Sequence, residues 1–498
     1  MTRLSVLIGL ALVAMIIFLW SCNSTPDAPV TEETEEVAVR TAKVPDWHKN
    51  ATIYEVNLRH FTPEGTISAF REHLPRLKDL GIDILWFMPV QPVSVEKRKG
   101  ELGSPYAVGD YTAINPDYGT MDDFREMLVE LHGLGMHCII DWVPNHTGWD
   151  NPWITEHPDW YTQDEDGNIV DPLNPETGKS WGWTDVADLN YDVPEMRLAM
   201  IDAMRFWIED VGIDGFRVDV AHSVPADFFE QCTDALYDIE PIFMLAEAEV
   251  PELRNSGSFI MDYAWEMHHL LNQIAKTQGA SRSQTQALQQ GNLVETDEAE
   301  IEPHDATDID ALLAKKAGVY QQGYQMQFTS NHDENSWAGT EFERMGDGHQ
   351  AFAVLTATFN GMPLIYTGME SAMDKRLEFF TKDEVPWGDY QYTDFYRTLF
   401  NLKHQNEALW NGEYGGELVK VPTGNDEHIY AFTREKNGDQ VFVMINLSSE
   451  AQAYNLEGDA HLGNYVNAFG GEEMAISESY GGKMEPWQYL VLHREAAE

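Results

Sequence analysis

From about residue 47 to residue 400, short apolar runs alternate with longer stretches whose apolar residues recur at helical spacing. The runs lie at 52–58, 82–89, 136–143, 215–220, 242–246, 259–263, 324–328 and 363–367, with helical periodicity between them, as at 121–134 and 195–210. Runs this short and this apolar read as strands buried on both faces. Eight of them alternating with helices predict an α/β fold, a (β/α)8 TIM barrel over 47–412. Residues 142–190, rich in Trp, Pro, Asp and Gly, are too many for an ordinary connection and read as a subdomain inserted after strand three. Residues 277–317 form a second irregular stretch, rich in Gln, Glu and Asp and helical in parts, with no role legible in it. From 413 to 498 the pattern changes to alternating runs at 428–433, 440–446 and 489–493, separated by turn residues such as Asn437 and Gly438. That predicts a C-terminal antiparallel β domain, a β-sandwich.

The first 46 residues have a different character. Arg3, an apolar run over 4–20, then Ser21 and Cys22 read as an export signal over 1–22, at the lower limit for spanning a bilayer. An uncleaved signal anchor is the rival reading, and both place the folded part outside the cytoplasm. Residues 23–46, rich in Pro, Thr and Glu, lack apolar periodicity and read as an acidic flexible tether. The remainder is not disordered: 43% of the chain is hydrophobic and it holds fifteen tryptophans. The charge is unusual, with 83 acidic residues against 32 basic and a formal net charge of -51. A surface of that sign excludes nucleic acid as a partner. It also suits high salt, where screening over a few ångströms removes the self-repulsion of so acidic a chain. Beyond Cys22 only Cys138 and Cys232 remain, too far apart for a metal knuckle and too few for a disulfide framework, so both read as buried thiols. Nothing in the sequence sets the oligomeric state.

Candidate chemistry sits where the predicted strands end. The segments DWVPNH (141–146), GFRVD (215–219) and SNHD (330–333) each join an apolar run to a polar tip, and Glu247 follows another such run. In a parallel barrel these tips share one rim. Asp219, Glu247 and Asp333 would then converge, as glycosidic cleavage requires: an ionised nucleophile, a protonated acid and negative charge beside an oxocarbenium-like centre. Arg217, two residues before Asp219 on the same strand face, would hold that carboxylate ionised. His146 and His332 are donors suited to sugar hydroxyls.

These segments resemble the conserved stretches of glycoside hydrolase family 13, the α-amylase family, over nearly the whole chain after the tether. Supporting matches are IYEVNLRHF (53–61), SPYAVGDYTAINPDYGTMDDF (104–124), ADLN (187–190) and GMPLIYTGME (361–370). The resemblance implies Asp219 as nucleophile, Glu247 as general acid/base, with Glu249 as its neighbouring rival, and Asp333 as the stabiliser that binds sugar hydroxyls. It places Arg217, His146 and His332 in the same subsite, with Tyr106 stacked on the sugar. The implied substrate is an α-1,4-linked glucan or malto-oligosaccharide and the implied mechanism is retaining. Alternatives are α-1,6 cleavage, hinted at by Val220 after the nucleophile, transglycosylation, and a non-catalytic glucan-binding protein. Residues 19–22 resemble a bacterial lipobox, which implies a lipid anchor at Cys22 on an envelope protein, or else a secreted one.

The resemblance requires no cofactor for the chemistry. It brings in a structural calcium, with Asn145 and Asp188 as ligand candidates, although His222 and Ser223 stand where many relatives carry Lys and His. Residues 164–168 resemble a calcium-loop fragment but read as a turn. Of the six tryptophans in the insert (142, 149, 153, 160, 181 and 183), about two are expected to touch substrate.

Overall fold

The computed structural model of the protein describes residues 40–174, 177–280 and 303–496. The expected signal sequence, Cys22 and most of the tether lie outside the described residues, as does the middle of the 277–317 stretch.

All eight expected barrel strands form. They are β1 (Ile53–Val56), β2 (Ile84–Phe87), β3 (His137–Trp142), β6 (Gly215–Val218), β7 (Phe243–Ala246), β8 (Met261–Tyr263), β9 (Tyr324–Gln327) and β10 (Met362–Tyr366), with β4 (His146–Gly148) and β5 (Val186–Asp188) in the insert. The barrel strands pair in parallel and close, in the order β1, β2, β3, β6, β7, β8, β9, β10 and back to β1. The antiparallel pair β4–β5 ties the two ends of the insert together.

The period-2 alternation of strand side chains builds two cores. Ile53, Ile84, Trp86, Ile139, Phe243, Leu245, Met326 and Leu364 fill the barrel interior. Their strand neighbours, among them Tyr54, Leu85, Cys138, Phe216 and Met244, face outward and pack with the surrounding helices. Met121–Gly133 is one of these, opened by a capping box in which Thr120 and Asp123 satisfy each other's backbone N–H groups. Both expected thiols, Cys138 and Cys232, are free and buried.

The tether ends earlier than the sequence suggests. Ala42, Val44 and Trp47 pack against the interior core, and Trp47 stacks on His137 at 4.0 Å. Arg40 bonds to Thr233 Oγ1 (2.6 Å), Asp234 Oδ1 (2.7 Å), Ser258 Oγ (3.0 Å) and the Ser256 carbonyl (3.0 Å). A hydrophilic segment is therefore fixed by polar contacts that leave no periodic trace. The expected turn at 164–168 is present, with Asp164 Oδ1 accepting from the N–H groups of Asp166 and Asn168.

The C-terminal strands are β11 (Glu417–Lys420), β12 (Ile429–Lys436), β13 (Asp439–Asn446), β14 (Gln452–Asn455), β15 (Gly463–Asn467), β16 (Glu473–Ile476), β17 (Gly481–Met484) and β18 (Tyr489–Arg494). Six make one antiparallel sheet, in the order β11, β12, β13, β18, β15, β16, while β14 and β17 form a separate ribbon. Met484 of the ribbon joins Phe442, Met444 and Leu492 in one core, so the domain's second layer is only two strands wide. The other face of the large sheet, through Tyr430, Phe432 and Val443, shares the core of the barrel's outer layer. Buried Arg434 secures this junction by donating to the carbonyls of Gly416 (2.9 Å), Phe359 (2.8 Å), Thr358 (3.2 Å) and Trp410 (2.9 Å). Arg434→Met leaves those acceptors without donors, and a loss of about 3 kcal/mol or more is expected, read as a lowered denaturant midpoint. A midpoint within error of wild type would show that the junction does not depend on this side chain.

Candidate active site

At the carboxyl ends of the strands the inward-facing residues turn polar. Arg217 on β6 is fully buried, and its Nη1 donates to Asp141 Oδ1 at 2.7 Å and Asp219 Oδ1 at 3.1 Å. Its Nη2 lies 2.9 Å from Glu247 Oε1, an ion pair without hydrogen-bond alignment, and its Nε donates to the Tyr263 hydroxyl at 3.1 Å. The guanidinium carbon sits 5.0 Å from the Trp86 ring centroid and 5.9 Å from that of Tyr106, so aromatic faces enclose the cation.

Backbone conformation delivers these groups. Gly215, with φ +155°, lets β6 approach β7 so closely that a Cβ would stand 1.9 Å from the Phe243 carbonyl oxygen. Val220 is left-handed at φ 37°, an unusual state for a β-branched residue. That bend accompanies a 2.7 Å hydrogen bond from the Val220 N–H to Glu247 Oε2, which orients the carboxylate. Glu249, the rival for Glu247, is engaged elsewhere: it pairs with Lys316 and accepts from Gln325 Nε2 (2.8 Å) and the Glu266 N–H (2.7 Å).

A second buried chain runs from β1. His332 Nδ1 meets Glu55 Oε1 at 2.5 Å, and its Nε2 lies 2.8 Å from the Tyr106 hydroxyl, which donates onward to Asp141 Oδ2 at 3.0 Å. The His332 pKa is pushed up to about 9, because the charges of Asp333 and Glu55 and the bond to Glu55 outweigh burial. As a cation it donates from both ring nitrogens, which matches the geometry. His146 is the opposite case: burial holds it down at about 4, so its imidazole is neutral at pH 7. Asp141 is raised to about 6 and Asp219 well above the ordinary carboxylate range, in both cases by burial first; for Asp219 the charge of Glu247 adds to this and Arg217 opposes it.

A cavity of about 260 Å³ opens onto these groups, lined by Asp219, Glu247, Asp333, Tyr106, His146 and His332. Arg217 lies beneath its floor. Sequence reasoning missed several contributors. Glu55 lies inside the matched segment 53–61, which carried no role for it. Lys99, which the sequence did not single out, lines the cavity together with Asp185, Trp337, Phe379 and Phe380. Of the six insert tryptophans only Trp183 lines the cavity, with Trp181 stacked on it at 6.0 Å. Trp142 packs on Tyr111 and Phe216, Trp153 on Trp160, and Trp149 donates to the Thr184 carbonyl.

The calcium candidates Asn145 and Asp188 flank the β4–β5 pairing, in which His146 stands opposite Asp188. Asn145 Nδ2 lies against the His146 ring at 3.1 Å, the Asn145 backbone carbonyl accepts from Leu189 N, and Asp188 is raised to about 6, by burial first and then by nearby Asp171. Among the described residues no group of three or more His, Cys, Asp or Glu is arranged to hold a metal ion.

Residues 44–413 match the family model described as the α-amylase catalytic domain. The chain belongs to the α-amylase family. Residues 420–491 match the model of the maltogenic amylase C-terminal domain. Among the family's characterised members, the chain is 25% identical over 477 residues to the α-amylase MalA of Haloarcula japonica, which covers 90% of this chain. It is 25% identical over 385 residues, 66% of the chain, to a probable oligo-1,6-glucosidase of Bacillus subtilis. The matched regions span 64% and 66% of those two proteins. Among solved members of the family, an α-amylase from Lactobacillus plantarum superposes with TM-score 0.72 at 26% identity, over 90% of this chain and 99% of that one. A maltogenic α-amylase of Thermotoga neapolitana, at 24% identity, shares the fold with TM-score 0.75 over 89% and 98%.

The raised pKa of His332 ties stability to pH. A histidine at about 9 in the folded protein and near 6.5 unfolded contributes stability that is full below pH 6.5 and lost as pH rises through about 9. The melting-temperature gap between wild type and His332→Gln should therefore narrow from pH 6.5 to 9.5, and a constant gap would contradict the buried cation.

Proposed function

We propose that the protein is a retaining α-glycoside hydrolase acting on α-1,4-linked glucans or malto-oligosaccharides. The observation that carries this reading is one buried cation, Arg217, in contact with both Asp219 and Glu247 at the floor of a cavity that Asp333 also lines. Five buried or half-buried carboxyls (Glu55, Asp141, Asp219, Glu247, Asp333) face two cations, Arg217 and His332. Full ionisation would leave uncompensated negative charge in low dielectric, so the cluster retains a proton near neutrality. The retaining mechanism calls for that proton on the acid/base and the charge on the nucleophile.

Glu247 then gives its proton to the glycosidic oxygen as Asp219 attacks the anomeric carbon, breaking the C–O bond and forming a β-linked glycosyl ester. Glu247, now ionised, takes a proton from water, which attacks the same carbon and displaces Asp219. Two inversions leave the α configuration. Asp333 binds hydroxyls of the sugar, and neutral His146 and the Tyr106 face position it. All steps use groups of this chain, and no calcium enters them.

Relatives named as oligo-1,6-glucosidase, trehalose synthase and maltosyltransferase align to much of the same region, which keeps α-1,6 cleavage and glycosyl transfer as the second reading. The full carboxylate set argues against a purely glucan-binding role. Export with a lipid anchor at Cys22 completes the proposal; metabolic labelling with a fatty acid, lost in Cys22→Ala, is its test.

A time course on maltoheptaose, panose and pullulan should give α-anomeric shorter products. Asp219→Asn and Glu247→Gln should each lower kcat by about 10³-fold. Full activity in either variant would overturn the assignment, and products longer than the substrate would favour transfer. The acid limb of kcat/KM should fall at a pH well above 3.8, because Asp219 takes up its proton early; a limb at the ordinary carboxylate value would contradict the buried cluster. Melting temperatures in calcium and in chelator decide the structural calcium: a drop in chelator supports it and equal values overturn it.

A further inference from the structure

The chemistry sits at the strand ends, and one loop brings Lys99 to the edge of the cavity beside Asp185 of the insert. Residues 95–103, in the connection from β2 to helix Met121–Gly133, are fastened at both sides. Toward the insert, Lys99 Nζ pairs with Asp185 Oδ1 at 2.7 Å and donates to the Gly182 carbonyl at 3.0 Å. The N–H groups of Val95 and Glu96 donate to Asp150 Oδ2, and Lys97 Nζ stands 3.0 Å from the centroid of the Trp149 ring. Toward the loop after β10, Leu102 N donates to the Phe380 carbonyl at 2.9 Å, and Arg59 Nη1 bridges the Gly103 and Phe379 carbonyls at 2.9 and 3.1 Å. Gly100, left-handed at φ +66°, approaches Phe380 so closely that a Cβ would lie 2.5 Å from the Phe380 Cβ. Trp337 extends the wall, its ring 5.2 Å from Phe379 and 5.9 Å from Phe380.

Contacts run from Gly182 through Lys99 and Leu102 to Phe380, and Lys99 and Phe380 of this run border the cavity. Barrel order says which end of the substrate this wall meets. Asp219 and Glu247 follow β6 and β7, whereas the wall is carried by the connections after β2 and β10, which flank β1 on the other side of the barrel. The leaving group departs on the side of its proton donor, Glu247, so the non-reducing side of the cleaved sugar points at the wall.

We infer that Lys99 and Asp185 end the binding site at the non-reducing terminus, so that the enzyme removes short units from chain ends instead of cutting within chains. This rests on the hydrolase reading above. A cavity of about 260 Å³ falls just below the roughly 300–1,000 Å³ of drug-sized sites, room for roughly one or two sugar units. The Lys99 ammonium carries three N–H donors, of which Asp185 and the Gly182 carbonyl take two. The third is placed for a hydroxyl that only a terminal sugar carries free. Lys99 and Asp185 are specificity residues: they touch no reacting atom.

The test compares maltoheptaose with maltoheptaose blocked at its non-reducing end by a 4,6-O-ethylidene group. Wild type should hydrolyse the blocked substrate about 10- to 100-fold more slowly and release one short product from the first minutes. In Lys99→Ala and Asp185→Ala the ratio should collapse toward one and the early products should spread in length. Lys99 is partly exposed but Asp185 is buried, so the ratio is read on variants whose melting shows a folded protein, and Asp185→Asn, which keeps the side-chain shape, serves as the second variant. Equal wild-type rates on the two substrates, or an unchanged ratio in both variants, would overturn the inference. If the unblocked substrate also stays intact, the hydrolase reading itself fails, an outcome distinct from equal rates.

Discussion

The structure depends on a guanidinium held away from water. A buried cation costs several kcal/mol unless anions and hydrogen-bond acceptors surround it, and Arg217 meets that need with Asp141, Asp219, Glu247 and the Tyr263 hydroxyl. Each of those groups is tied to a different part of the barrel. Asp141 closes β3, Asp219 follows β6, and Glu247 follows β7. Satisfying one cation therefore fixes three strand ends relative to each other. The same contacts set the proton inventory: an excess of carboxyls around few cations retains a proton, and acid catalysis needs one.

Legibility in the sequence followed physical scale. The barrel was readable because eight strands buried on both faces leave unbroken apolar runs, each of which the structure reproduces within about three residues. Asp219, Glu247 and Asp333 were readable because each terminates such a run. Glu55 was not, since a single acid inside a strand gives no sign that it will meet His332 from β9's loop, 277 residues away. Arg40 was lost for the same reason in reverse: its anchorage consists of polar bonds to distant residues, and a segment without apolar rhythm reads as free. Val220 shows a third limit, because its left-handed backbone is not what a β-branched residue advertises.

The two levels of the site also differ in how they tolerate change. Chemistry sits on strand ends locked by interior packing, with Trp86 and Tyr263 behind Arg217. The wall from Lys99 to Phe380 rests on loop contacts, among them the Leu102–Phe380 backbone bond and the Lys99–Asp185 pair, which a different loop can replace. Members of one fold family can thus share the first and diverge in the second, and this fits names as different as α-amylase and trehalose synthase among the relatives.

Trp47 and Arg40 close the barrel at the amino ends of its strands, Trp47 lying over His137 and Phe243. The polypeptide thus enters the barrel at the pole opposite the sugar cavity. Substitutions within residues 40–47 would therefore bear on the stability of the barrel and leave the cavity at its other pole unaltered.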